Sequence, residues 1–112
     1  MVIMANNQYQ QVMNDTKRGE IRLSMYDYPN NNQWRTKDIE TRFISTWDGE
    51  WFYHFRIGGY KCIEWLEIKV ETQEIRKDVL NILKNIHVPG EVFDNVIRVY
   101  GYVELCKSVN YI

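Results

Sequence analysis

Asp48 and the triplet Glu67-Ile68-Lys69 are the residues of this 112-residue chain whose types and spacing come nearest to a catalytic set. Two carboxylates can share a divalent cation such as Mg²⁺, and a lysine beside them can orient or activate the attacking water of a metal-dependent nuclease. The period of two along a strand puts Glu67 and Lys69 on one face, roughly 7 Å apart. A hairpin turning at Gly58-Gly59 would bring Asp48 and Glu50 beside them. Chance weighs against this set. Glu-x-Lys is a frequent triplet, and Glu/Lys pairs across strands are a common way to solvate a sheet face. The chain carries 14 basic and 15 acidic residues, a formal net charge of −1. It lacks the excess of Lys and Arg that drives binding to phosphate backbones. A nuclease using Asp48, Glu67 and Lys69 is therefore the alternative expectation. The leading one has no catalytic residue, no metal and no cofactor.

His54 and His87 are the only histidines. His54 alternates with Phe52 and Arg56, near Glu64, and a His–Glu pair can move protons at neutral pH. A hydrogen-bonded structural role is the commoner fate of such a residue. His87 follows a helix end, where a cation complements the dipole. Neither has a zinc-ligand spacing, and Cys62 and Cys106 supply none. Two buried, reduced thiols are expected from them in place of a disulfide. Phosphate-binding, dinucleotide-binding and serine-nucleophile motifs are absent.

A second set is suited to binding. Arg56, Trp65, Glu67, Tyr100 and Tyr102 fall in an outward row, and Tyr, Trp and Arg are the types that make interface hot spots. The acidic positions Asp38, Glu40, Asp48, Glu50, Glu64 and Glu67 crowd into one stretch. An acidic, aromatic surface suits docking on a basic protein. The expected partner-binding residues are Trp47, Asp48, Glu50, Trp65, Glu67 and Tyr102.

The elements that must position these residues are read from periodicity. Trp47 to Val70 (WDGEWFYHFRIGGYKCIEWLEIKV) reads as a hairpin broken at Gly58-Gly59. Trp51, Tyr53, Phe55 and Ile57 fall on one face of its first arm; Leu66, Ile68 and Val70 fall on one face of its second. A preceding strand is expected within 39–46, after the Pro29-Asn30-Asn31-Asn32 loop. Residues 5–15 have helical spacing. Over 17–28, Ile21, Met25 and Tyr28 follow a helical period while Ile21, Leu23 and Met25 alternate as in a strand. Gly19 weakens a helix, no β-branched run favours a strand, and a helix capped by Asp15 or Thr16 is the expectation. Thr72 caps a helix over 73–86, whose stripe is Ile75, Val79, Ile82, Leu83 and Ile86. Pro89-Gly90 ends it in a loop. Residues 95–105 alternate as a strand, with Gly101 marking a bulge or a close helix approach. The tail can add a short strand. The result is a single α+β domain in the order α-β-β-β-α-β, an antiparallel-rich sheet of four to five strands with helices on one face.

Composition bounds the rest. The aromatic share of 14% helps a small domain bury enough area. Met1 to Met4 are too few for a signal or membrane segment, and a cytoplasmic protein is expected. The segments WRTKDIE, WDGEWFYHFRIGGYKCIEWLEI, IHVPGE and IRVYGYV resemble a family of small bacterial domains of unknown function, over Trp34 to the end. The resemblance implies a bacterial origin and carries no site residues. The element order is similar to that of restriction-endonuclease-like nucleases. In size and Asn/Ile/Lys-rich character the chain is similar to immunity proteins that neutralise toxins. The leading expectation is such a protein, binding a basic toxin domain directly, with no nucleic acid or membrane partner. A structural or interaction domain with another ligand stands as a third reading.

Overall fold

The computed structural model describes residues 8–30, 32–52, 54–55 and 60–112. Its elements are β1 (Tyr9–Gln11), α1 (Asp15–Asp27), β2 (Trp34–Asp38), β3 (Ile63–Lys69), α2 (Gln73–Ile86), β4 (Gly90–Val92), β5 (Val96–Tyr100) and β6 (Tyr102–Glu104). Four strands form one antiparallel sheet in the order β2-β3-β5-β4; β1 and β6 form a separate antiparallel pair. The expected α+β class with an antiparallel-rich sheet is observed.

Capping chemistry sets both helices. In α1 the Asn14 side chain accepts from Lys17 N at 2.9 Å, one residue earlier than the expected cap. Arg18, Ile21 and Met25 are buried at i, i+3 and i+7, a helical stripe that settles the ambiguity over 17–28 against a strand. In α2 the Thr72 hydroxyl accepts from Ile75 N at 3.1 Å, and His87 closes the end at φ 68° with its N–H on Leu83 O. This helix has the bounds expected of it. Thr72→Ala is expected to cost about 1 kcal/mol, read as a lower midpoint in thermal or urea unfolding with an unchanged m-value.

Parity along the strands decides what faces the helices. Leu66 and Ile68 of β3 pair with Val99 and Ile97 of β5, and all four are buried. They share one cluster with Ile21 and Met25 of α1 and Val79 and Leu83 of α2, so both helices pack on that face. Trp34, Trp51 and Phe55 extend the cluster, with ring centroids 5.2–5.8 Å apart. The Trp51 indole N–H donates to Asn32 O at 2.9 Å, which satisfies its one polar atom inside the core.

Several expectations are corrected. Trp51, Phe52, His54 and Phe55 lie in turns, not in a strand. Trp51 and Phe55 are both buried, so an i, i+4 spacing stands where alternation was expected. The Gly58-Gly59 turn, with Tyr53, Arg56 and Ile57, lies outside the described residues. β3 takes β2 as its outer neighbour, so the first sheet strand is Trp34–Asp38 and not within 39–46. Ile39 to Thr41 form a turn, in which the Asp38 carboxylate accepts from Glu40 N and Thr41 N. Residues 9–11 are extended, because their backbone pairs with 102–104. Pro89-Gly90 leads into a strand. The order from Tyr9 is β-α-β-β-α-β-β-β.

The alternating run 95–105 is split at Gly101. Gly101 N donates to Glu64 O at 2.7 Å, and Gly101 O accepts from Val12 N at 2.9 Å. A Cβ here would lie 2.4 Å from Arg18 Nη2, so the close helix approach expected at this glycine is observed. The cysteines are free as expected, but Cys62 is half-buried and Cys106 exposed. Burial, then Asp38 and Glu40, raise the Cys62 thiol above its ordinary pKa. Less of it is thiolate at a given pH, so iodoacetamide at mildly alkaline pH is expected to modify Cys106 about tenfold faster, as read by peptide mass spectrometry. Among the described residues no helix is long and apolar enough to cross a membrane.

Candidate functional site

The sheet face opposite the helices holds the polar chemistry. Arg35 and Lys37 of β2, Trp65, Glu67 and Lys69 of β3, and Arg98 and Tyr100 of β5 share it by parity. Register puts Glu67 between Arg35 on one side and Arg98 on the other. Arg35 Nε donates to Glu67 Oε1 at 2.8 Å; Arg98 donates to Oε2 from Nε at 2.9 Å and from Nη2 at 2.7 Å. The Glu67 side chain is 4% exposed, so both oxygens are committed inside the sheet face. Burial lowers the Arg98 pKa, but its bonds to Glu67 and Tyr100 outweigh that effect and hold it above the ordinary arginine value. The guanidinium is a fixed charge here.

Aromatic rings lie under the cations. Arg98 Cζ sits 4.6 Å from the Trp65 ring centroid and 5.2 Å from that of Phe93. Arg35 Cζ and Lys69 Nζ both approach the Trp47 ring, at 4.6 and 4.5 Å. Such contacts hold long side chains against a flat support. A second carboxylate repeats the pattern where the β2–β3 register shifts between Lys37 and Asp38. Glu64 accepts from Arg42 Nη1 at 2.6 Å and has Lys37 Nζ at 4.0 Å. A cleft of about 430 Å³ opens there, lined by Tyr9, Lys37, Glu64, Trp65, Arg98 and Tyr102 among others. On its β4 side Tyr100 donates its hydroxyl to Glu91; burial and that carboxylate raise the phenol above its ordinary pKa.

The expected site residues do not all come together. Trp47, Trp65 and Glu67 come together on this face. Asp48 does not join them. It bridges to Trp34 through 2.8 Å backbone bonds in both directions, and bridged residues share a side of the sheet. Trp34 is in the core, so Asp48 points to the helix side, where its carboxylate meets His54 Nδ1 at 2.9 Å. His54 thus pairs with Asp48, not Glu64. Lys69 shares the face of Glu67, but Glu67 has both oxygens on arginines and Asp48 is on the reverse side. A metal-binding group of Asp48, Glu67 and Lys69 is not assembled. Among the described residues no three His, Cys, Asp or Glu side chains are grouped to hold a metal ion. Glu50 shapes the loop, its carboxylate accepting from Phe52 N at 3.0 Å and His54 N at 2.7 Å. Tyr102 sits at the far end of the cleft, its hydroxyl on Lys61 O at 2.7 Å.

Arg35, Lys37, Arg42 and Arg98 belong to the candidate site and are not among the residues expected from the sequence. For Arg35 and Lys37 the signal is Trp34-Arg-Thr-Lys-Asp38, whose cations alternate as one face of a strand. It was obscured because Lys and Asp are poor strand formers.

The family model for the family of unknown function DUF6678 matches residues 1–106, and the chain belongs to that family. The expected membership of a family without known function holds in that form. Comparison with curated proteins and with solved structures finds no match.

Proposed function

We propose that this chain is a binding protein that neutralises a protein partner by direct contact through the helix-free face of its sheet. The observation that carries this reading is the Arg35–Glu67–Arg98 group. A buried carboxylate fixes two guanidinium groups, one beside half-buried Trp47 and one over buried Trp65, which gives a rigid, Arg-rich surface with Trp47 at its side. Residues of these types, held in one conformation before contact, lose little entropy on binding and are the usual anchors of protein interfaces. Immunity against a toxin is the setting we favour for this activity, since it needs tight contact and no chemistry.

Co-expression with the product of the adjacent reading frame, followed by calorimetry on the purified pair, tests the proposal. A stoichiometric complex is expected, with relief of toxicity. Trp47→Ala should weaken it by about 30-fold, the effect of losing an interface anchor worth about 2 kcal/mol. Failure to bind any neighbouring product, or a complex indifferent to Trp47→Ala, sinks it.

A further inference from the structure

We propose that the helix-free face binds an acidic segment of a partner protein, one whose Asp and Glu side chains lie across β2, β3 and β5. The inference rests on the protein-binding reading above and reverses the charge of the partner expected from the sequence. The sequence places many carboxylates here. The structure distributes them by depth. Glu67 and Glu64 have side chains only 4% and 11% exposed, whereas the cations on them are far more open: Arg35 35%, Arg98 29%, Arg42 42% and Lys37 22%. Two buried carboxylates thus hold four presented cations. Lys69 adds a fifth, stacked on Trp47 and bonded only weakly to neutral Gln33 Oε1 at 3.4 Å. Over β2, β3 and β5 an approaching partner meets the cationic layer and not its acidic foundation; exposed Glu91 of β4, paired in register with Arg98, borders that layer.

The geometry favours carboxylates as ligands. Arg35 uses Nε on Glu67 and Arg42 uses Nη1 on Glu64, so each fork keeps further N–H donors to offer. Planar donors of this kind match a carboxylate in two-bond geometry. A nucleic-acid strand fits less well. Trp65 is only 6% exposed beneath Arg98 and gives no ring face for a base. Glu91 and Glu104 also line the cleft, and the whole chain has a net charge of −1. A continuous polyanion would run against those carboxylates, whereas a short acidic segment can end before them.

The test uses the full chain and three fluorescein-labelled probes in polarisation assays at low and physiological salt: a short mixed Asp/Glu peptide, a Lys peptide and an oligothymidylate. The acidic peptide is expected to bind, to weaken with salt, and to shift amide resonances of β2, β3 and β5. Lys37→Gln/Lys69→Gln, which leaves Glu67 with both arginines, should weaken it about tenfold. Equal or tighter binding of the Lys peptide overturns the proposal. So does tighter binding of the oligothymidylate, absence of acidic-peptide binding, or affinity unchanged in the double variant. If the acidic peptide binds here but no neighbouring product does, the face stands and toxin neutralisation fails. If a neighbouring product binds with affinity unchanged in the double variant, the opposite holds.

Discussion

Glu67→Ala is expected to destabilise the protein by about 2–3 kcal/mol, one of the two largest effects of a single substitution away from the apolar core. Removing one member of a buried ion pair typically costs about 3–5 kcal/mol, because the remaining charges stay desolvated. Here the orphaned groups are Arg35 and Arg98, 35% and 29% exposed, and water screens part of that cost. Urea unfolding followed by tryptophan fluorescence measures the difference. The same substitution frees both guanidinium groups to swing, so the surface should lose its fixed geometry as well as its stability. Glu67→Leu combined with Arg35→Met and Arg98→Met removes all three charges. It should recover most of the stability while abolishing any binding that needs the cations. A triple variant as unstable as Glu67→Ala would mean the loss comes from packing, not from unpaired charge.

Gly101→Ala is the second large effect, about 3 kcal/mol or a midpoint lower by roughly 10 °C. The added methyl would stand 2.4 Å from Arg18 Nη2 and 2.5 Å from the backbone oxygen of Ile63. Neither can retreat cheaply. Ile63 O belongs to β3, and Arg18 is 3% exposed, with Nη1 donating to Tyr60 O and its guanidinium over the Tyr102 ring. Burial lowers the Arg18 pKa even though Tyr102 and Asp15 act to raise it, a sign of how closely α1 presses on the β5–β6 junction. Thermal unfolding by circular dichroism measures the loss. A variant within about 1 kcal/mol of the parent would show that the junction yields more easily than the contacts imply.

Elements governed by local chemistry were legible in the sequence. Thr72 and the Ile75–Ile86 stripe specify α2 because a cap and an apolar period need no distant partner. The close approach at Gly101 was legible for a similar reason: a glycine inside an alternating strand marks a place where a side chain will not fit. The outer strand was not legible. Trp34–Asp38 lacks β-branched residues apart from Thr36, and becomes a strand only because β3 offers it an edge to pair with. The opposite error occurred at Trp51 and Phe55. They lie in an aromatic run that alternates on paper, but the chain turns there to bury both rings against Trp34. Of the candidate site, Trp47, Trp65 and Glu67 stand out by residue type, and the structure places them on one face. Depth was hidden, since the sequence counts a glutamate as surface charge whether it sits above or below its arginines. Asp48 reads as a neighbour of Glu67, but its pairing with Trp34, a long-range contact, turns it to the reverse side.

The chain's last residues close the far edge of the sheet. Gly90 N donates to Asn110 O and Ile112 N donates to Val88 O, each at 3.0 Å, while Tyr111 stacks on the His87 ring at 4.4 Å. An unguarded strand border is a template on which other chains add strands. Residues 110–112 occupy part of that border beside β4, and on the opposite side Ile44 and Asp48 bridge to β2. Both margins of the sheet are therefore partly sealed by segments of the same molecule, which discourages polymerisation through strand addition. On the binding reading proposed above, that leaves the broad side of the sheet, where side chains and not main-chain hydrogen bonds would select the partner.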